Sequence, residues 1–403
     1  MTVPSTAHIV ASPLRRRLSC RVGTPEEGVR TRMLETAAGM TNVIALGRGD
    51  PDLDTPAHIV AAAKDALDRG MTHYTHPAGD LALRRAIATH IQASTGVGYD
   101  PATEIIVTTG AQEAVYLAML TLVEPGDEVL LPSHRFTSYD MAVELSGGSV
   151  VPYATVIDGR YRLSAAEIER ASSARTKVLS VVSPDNPTGG VASVADLAEV
   201  ADLTKRRDLL VVSDEIYSRF VYDGLHHQSI LAYDGMRDRT LLVDGLSKCY
   251  AMTGWRVGYL AGPADYMRSI IEVKHTLTIC TPSISQVAAL AALDGPQECI
   301  AEMRAIYDDR RQCLLASLAD MDLPYVYPAG AFYVYVDVSA TGMSSPEFCL
   351  RLLQDTGVMI FPGTMFGSDG ERWVRMSLLA PRPQIEEASD RLISAVRTYQ
   401  SQA

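Results

Sequence analysis

Lysine is scarce in this chain of 403 residues. Only Lys64, Lys177, Lys205, Lys248 and Lys274 occur, and arginine supplies the other basic side chains. Any chemistry that needs a primary amine must therefore use one of five side chains. No apolar run reaches the ~18 residues a membrane-spanning helix requires, so no membrane association is expected. The six cysteines (Cys20, Cys249, Cys280, Cys299, Cys313 and Cys349) contain no C-x-x-C pair. That excludes a zinc ribbon or dithiol motif, leaves no metal site to expect, and suits thiols kept reduced in a cytoplasmic protein. A basic excess is also missing: the formal net charge is −12, which argues against a nucleic-acid-binding stripe. An anionic ligand must then be held by local donors against an unfavourable overall field. Arg15, Arg16 and Arg17 are not followed by a long apolar stretch, so no secretory signal is expected.

What is present is an ordinary soluble composition, 47% hydrophobic and 21% charged. The length suits one large domain and a smaller one. Short apolar, β-branched runs recur at 104–109, 128–132, 149–153, 177–183, 209–213, 240–244 and 257–261. Helix-like segments such as 112–122 and 194–207 lie between most of them. Buried strands alternating with helices predict an α/β fold with a seven-stranded, mostly parallel sheet. Beyond about Asp265 the rhythm changes to longer helices at 284–293 and 297–318. A strand-rich patch at 331–338 follows, then helices near 345–356 and 384–399, which predicts a smaller α+β domain. The expected division is an N-terminal segment 1–45, with a helix across 26–38, packing on the small domain. A large domain then covers 46–290 and a small one 291–403.

Ligands of such sheets gather at the carboxyl ends of strands, and that is where the chemically informative residues occur. Lys248 follows one strand end in Gly245-Leu246-Ser247-Lys248, and Arg256 lies eight positions on. A lysine facing a cleft can form an imine with an aldehyde and then act as a general base, while arginine can grip a phosphate bidentately. Asp214, Glu215 and Tyr217 follow a second strand. A buried carboxylate there can keep a pyridine nitrogen protonated. Asn186 lies in the punctuated turn Ser183–Gly190 after a third strand. Thr109-Gly110-Ala111 joins a fourth strand to a helix, a place where backbone N–H groups bind phosphate. Arg375, in a strand-like patch near the end, can hold a carboxylate. Taken singly, each has an ordinary explanation as an ion pair, a helix cap or a turn.

Together these segments resemble the fold-type I pyridoxal-phosphate (PLP) enzymes, specifically class I/II aminotransferases of the prokaryotic aspartate-aminotransferase-like subgroup. The likeness runs from about Ile44 to Leu392. It is carried by Gly49-Asp50-Pro51-Asp52-Leu53-Asp54-Thr55-Pro56, His73-Tyr74-Thr75, Thr109-Gly110-Ala111, Asn186-Pro187-Thr188-Gly189 and Ser213-Asp214-Glu215-Ile216-Tyr217. Ser247-Lys248, Thr253-Gly254-Trp255-Arg256, Pro328–Tyr333 and Arg375-Met376-Ser377 complete it. The resemblance implies that Lys248 forms the internal aldimine with PLP and shuttles the proton between substrate Cα and the cofactor. It implies that Asp214 pairs with the ring nitrogen, that Asn186 and Tyr217 contact the phenolic oxygen, and that Phe136 stacks on the ring. Gly110, Ala111, Ser247 and Arg256 would hold the phosphate, and Tyr74 would reach the phosphate of a neighbouring subunit, which implies a homodimer. Arg375 would bind the substrate carboxylate with help from the backbone near Gly49 and from Asn186. Substrates would be an L-amino acid and a 2-oxo acid. Three departures stand out: Gln112 replaces the lysine of members that prefer acidic substrates, Phe136 lacks the indole or phenol that other members use, and Asp244 replaces a usual asparagine. The same framework also supports elimination, substitution, cyclisation or oxidation of an amino acid, so transamination is the leading expectation and these are the alternative.

Overall fold

The protein is described by a computed structural model covering residues 28–402. Its central sheet has seven strands: β1 (Ile105–Thr108), β2 (Glu128–Pro132), β3 (Ser149–Tyr153), β4 (Thr176–Val182), β5 (Leu210–Asp214), β6 (Thr240–Gly245) and β7 (Gly258–Ala261). They lie in the order β1-β7-β6-β5-β4-β2-β3. All neighbours are parallel except β7, which runs against both β1 and β6. The spans agree with the sequence expectation to within about two residues.

β1, β2, β6 and β7 are buried along their whole length, β1 even though it ends the sheet, as expected of near-continuous apolar strands covered on both faces. β3 lies at the edge, is partly exposed, and tolerates Pro152 because an edge strand has a side with no ladder partner. One face packs on α1 (Ala111–Leu122) and α2 (Ala264–Thr278) through Ile106, Val129, Val178, Val212, Val243 and Leu260. The other packs on helices Leu81–Thr95 and Val194–Arg206, among others. The inward face of helix α2 carries Met267, Ile270 and the fully buried Lys274, with Tyr266, Ile271 and Val273 beside them. A charged side chain therefore stands in an otherwise apolar row.

A second, antiparallel sheet is formed by β8 (Tyr325–Val326), β9 (Tyr333–Asp337), β10 (Phe361–Pro362) and β11 (Trp373–Ser377), in the order β8-β9-β11-β10. Helices α3 (Glu298–Asp320), α4 (Ser345–Thr356) and α5 (Arg382–Gln400) share its core with Phe332, Val334, Val374 and Met376. Ser344 and Glu347 form a capping box at the start of α4, which has Pro346 in its first turn. Met33, Ile44 and Leu46 belong to the same core, and Ile44–Ala45 pairs in parallel with Val358–Met359. Helix Ser283–Asp294 runs across residue 290. The expected helix at 26–38 is present from Val29 to Ala38, and residues 26 and 27 lie outside the described part.

Candidate active site

The strand ends and the second sheet meet around a cavity of about 480 Å³. Ala111, Phe136, Asn186, Asp214, Tyr217, Ser247, Lys248, Arg256, Gly49 and Arg375 all line it. Residues up to 326 positions apart (Gly49 and Arg375) therefore share one wall. Order in the sheet does this: β4, β5 and β6 are parallel neighbours, so the segments leaving them emerge side by side.

Lys248 sits in the turn after β6 and its Nζ donates to the Gly49 carbonyl at 2.6 Å. Asp214, the last residue of β5, is buried. Its Oδ2 accepts from the Tyr139 hydroxyl and its Oδ1 from the Ile216 N–H at 3.1 Å. Burial pushes this carboxyl above the ordinary carboxylate range, and the two donors partly oppose that. Tyr217 shares a hydrogen bond with Tyr333 at 3.2 Å, the rings meeting edge to face. Burial beside Tyr333 holds the Tyr217 phenol well above its ordinary value.

Arg375, on β11, is the most informative group. One Nη donates to Asn186 Oδ1 at 2.9 Å and the other to the Gly47 carbonyl at 2.7 Å. The rings of Tyr333 and Phe366 each lie 4.3 Å from its Cζ. Its Nε is buried with no partner, and it faces no carboxylate among the described residues. Burial lowers its pKa from the usual guanidinium value, so an anion bound here would remove a desolvation penalty.

Arg256 reaches the opposite end of the cavity. It donates to the Thr253 carbonyl at 3.1 Å and to the Thr109 carbonyl at 3.4 Å. Gly110, just before α1, has φ +81° and ψ 163°, a region open essentially to glycine alone. A Cβ placed on Gly110 would lie 2.9 Å from Arg256 Cζ and nearer still to Nη2. Gly258 in β7 is constrained in the same place, since a Cβ there would fall 2.6 Å from the Ala111 nitrogen. The result is an open helix N-terminus with a guanidinium beside it, the arrangement that binds a phosphate.

Two of the expected residues are largely exposed. Phe136 lines the cavity with 47% of its surface exposed, and Tyr74 is 79% exposed and off the cavity wall. Sequence reasoning missed Tyr139, Gly47, Phe361, Met365 and Phe366. Of these, only Tyr139 had a usable signal: it stands three positions after Phe136 at the start of a helix, and so on the same face. Tyr333 was visible inside a motif without a role. Asp244, unexplained by sequence, is buried. It accepts from the Gly245 N–H at 2.6 Å and from the Tyr259 hydroxyl at 3.0 Å, and burial pushes it up to about 7.

Comparison with known proteins agrees with this geometry. The family described as aminotransferase class I and II matches residues 41–392. Aspartate aminotransferase of Pyrococcus abyssi is 40% identical over 91% of this chain and 95% of its own. Aromatic-amino-acid aminotransferase 2 of Thermococcus litoralis is 39% identical over 90% of this chain and 93% of its own. The crystal structure of an aromatic aminotransferase from Pyrococcus horikoshii superposes with a TM-score of 0.87 at 39% identity, covering 91% of this chain and 99% of that one. A family match running over residues 41–392 and relatives at 39–40% identity across nine-tenths of the sequence leave one conclusion: the chain belongs to the class I and II aminotransferases, fold-type I transaminases that use pyridoxal 5′-phosphate.

Proposed function

We propose that the cavity residues divide the labour of transamination as follows, the observation that carries this being the buried, anion-lacking Arg375 facing the same cavity as Lys248. The residues present fit the cofactor. Gly110 leaves open a cradle that a Cβ would fill, and the buried Asp214 carboxylate has acceptor capacity beyond its two donors. Gly110, Ala111, Ser247 and Arg256 would hold the phosphate, Asp214 would face the ring nitrogen, Asn186 and Tyr217 the phenolic oxygen, and Phe136 one ring face. When bound, PLP supplies an aldehyde that takes up the amino group and a ring that accepts the electrons of the broken Cα–H bond. Arg375 fixes the donor's α-carboxylate, and Asn186 and Gly47 fix Arg375 in turn. That orientation brings the Cα proton towards Lys248 Nζ, which removes it as a general base and returns it at the next step. Tyr139 and the Ile216 amide hold the Asp214 carboxylate in place.

The rest of the cavity lining is mostly apolar, with Val115, Phe361, Met365 and Phe366 beside the polar Asp50, Thr137, Ser138 and Thr253, and Gln112 carries no charge. Arg30 also lines the cavity but is exposed, and an exposed ion pair contributes only about 0–1 kcal/mol, too little to impose a dicarboxylate. An apolar or aromatic donor is therefore favoured over aspartate. The chain would act as a cytoplasmic homodimer, with Tyr74 of each subunit reaching across to the other's phosphate. Its large domain would cover 46–290 and its small domain 291–403, with residues 1–45 packing on the latter.

The test is a half-reaction panel without acceptor. Phenylalanine, tyrosine, leucine, aspartate and glutamate are each mixed with the PLP-loaded enzyme, and oxo acid and ammonia are measured. Stoichiometric oxo acid without ammonia, fastest from the apolar donors, is expected. Fastest turnover of aspartate would reject the donor assignment.

A further inference from the structure

Lys274 is completely buried in the inward-facing row of α2. Its Nζ donates to Glu113 Oε2 at 3.0 Å and to Thr278 Oγ1 at 3.1 Å, and Thr278 Oγ1 donates to Glu113 Oε1 at 2.6 Å. Glu113 lies in the first turn of α1, the helix whose N-terminus forms the phosphate cradle, and its Oε2 also accepts from the Thr109 N–H. The carbonyl of the same Thr109 accepts from Arg256. A lysine, a carboxylate and a backbone residue thus form a continuous chain ending at the arginine of the cradle.

The placement of Glu113 raises an electrostatic problem. An acidic residue in the first turn suits a helix dipole in isolation. At a helix end that must receive a phosphate carrying nearly two negative charges, the same carboxylate repels the ligand, and its side chain, only 12% exposed, is incompletely screened by solvent. A pair serving only to join α1 to α2 would be replaceable by apolar side chains at no desolvation cost.

We propose that Lys274 is a positioning residue for the cofactor phosphate: it cancels the charge of Glu113, so that this carboxylate can hold the Thr109 amide without opposing the anion one turn away. This rests on the reading that the 109–112 segment and Arg256 bind the phosphate.

The experiment compares dissociation constants of PLP and of pyridoxal, which lacks the phosphate, for the same apoenzymes. The readout is the ratio of the two constants, which a general loosening of the fold leaves unchanged. Lys274→Met is expected to lower the preference for PLP about tenfold or more, on the scale of an unscreened like charge near the phosphate. Glu113→Gln/Lys274→Met removes both charges and keeps an acceptor for Thr109, so its preference should return to within about threefold of wild type. An unchanged ratio in Lys274→Met, or equal weakening of both ligands, overturns the proposal. So does a double variant as poor as the single one. Should Lys274→Met not yield folded protein, the double variant decides alone: a tenfold loss of preference overturns the proposal. Arg256→Met separates the two levels. If it lowers the ratio and Lys274→Met does not, the phosphate reading stands and the role of Lys274 falls. If Arg256→Met leaves the ratio unchanged, the phosphate reading itself fails.

Discussion

Gly110→Ala should damage cofactor binding and folding by separable amounts. The backbone at Gly110, with φ +81° and ψ 163°, costs an alanine about 1–3 kcal/mol. This loss falls on the apoenzyme and lowers its apparent melting temperature. The added Cβ also overlaps the Arg256 guanidinium, 2.9 Å from Cζ, and must drive that side chain off the cradle. Losing one charge-assisted contact is worth about 1.5–3 kcal/mol, which corresponds to a roughly 10- to 150-fold higher dissociation constant for PLP. The control is Gly96→Ala. Gly96 also has positive φ, at +77°, but a Cβ there meets nothing within 4 Å. It should lower the melting temperature and leave PLP affinity alone. Fluorescence titration of both apoenzymes, with thermal melts beside it, measures the two effects. If Gly110→Ala binds PLP within about threefold of wild type, Arg256 is not pinned against this glycine and the cradle has been misread.

Three further outcomes are expected. Arg375→Lys loses the planar fork, worth about 1.5–3 kcal/mol, and kcat/KM for the amino donor should fall roughly 10- to 150-fold while PLP affinity stays within twofold; steady-state kinetics and a PLP titration check both. Lys248→Ala should leave no covalent link to the cofactor, so mass spectrometry after borohydride reduction should find the label on Lys248 in wild type and on no side chain in the variant. Asp244 titrates at about 7 in the folded chain, above its unfolded value of ~3.9. Its contribution is therefore fully present below pH ~4 and is lost as pH rises to about 7. Asp244→Asn, which keeps an acceptor for the Gly245 amide, should flatten that decline and raise stability at pH 8 by on the order of 4 kcal/mol at most. Unchanged urea-unfolding profiles across this pH range would refute the assignment.

Much of the architecture was legible because its signals are local. The strands from β1 to β7 are short apolar runs bounded by turn residues; Asp214 ends one of them, and Lys248, Asn186 and Gly110 each stand just past another. Strand order was not legible, and it is what brings those residues together. β7 lies between β1 and β6, against its neighbours in direction, which no local pattern announces. Helix α2 was not anticipated, although Tyr266, Met267, Ile270, Ile271 and Val273 recur at helical spacing there. Contacts such as Tyr139 with Asp214, or Gly47 with Arg375, span 75 and 328 residues, so no spacing in the sequence encodes them. Asp244 shows the remaining gap: its residue type was conspicuous, but only burial and its two donors explain how a carboxyl is accommodated there.

The tethering of Arg375 has a consequence for selectivity. Its two terminal nitrogens are committed to Asn186 and Gly47, and aromatic rings flank the plane. The side chain is thus nearly immobile before any substrate arrives, and docking a carboxylate costs it little rotational freedom. If Arg375 holds the α-carboxylate as proposed, every amino acid presents that same group and affinity gained there would be common to all donors. Discrimination among them would then fall to other cavity residues such as Val115 and Met365, which could be exchanged without moving the guanidinium.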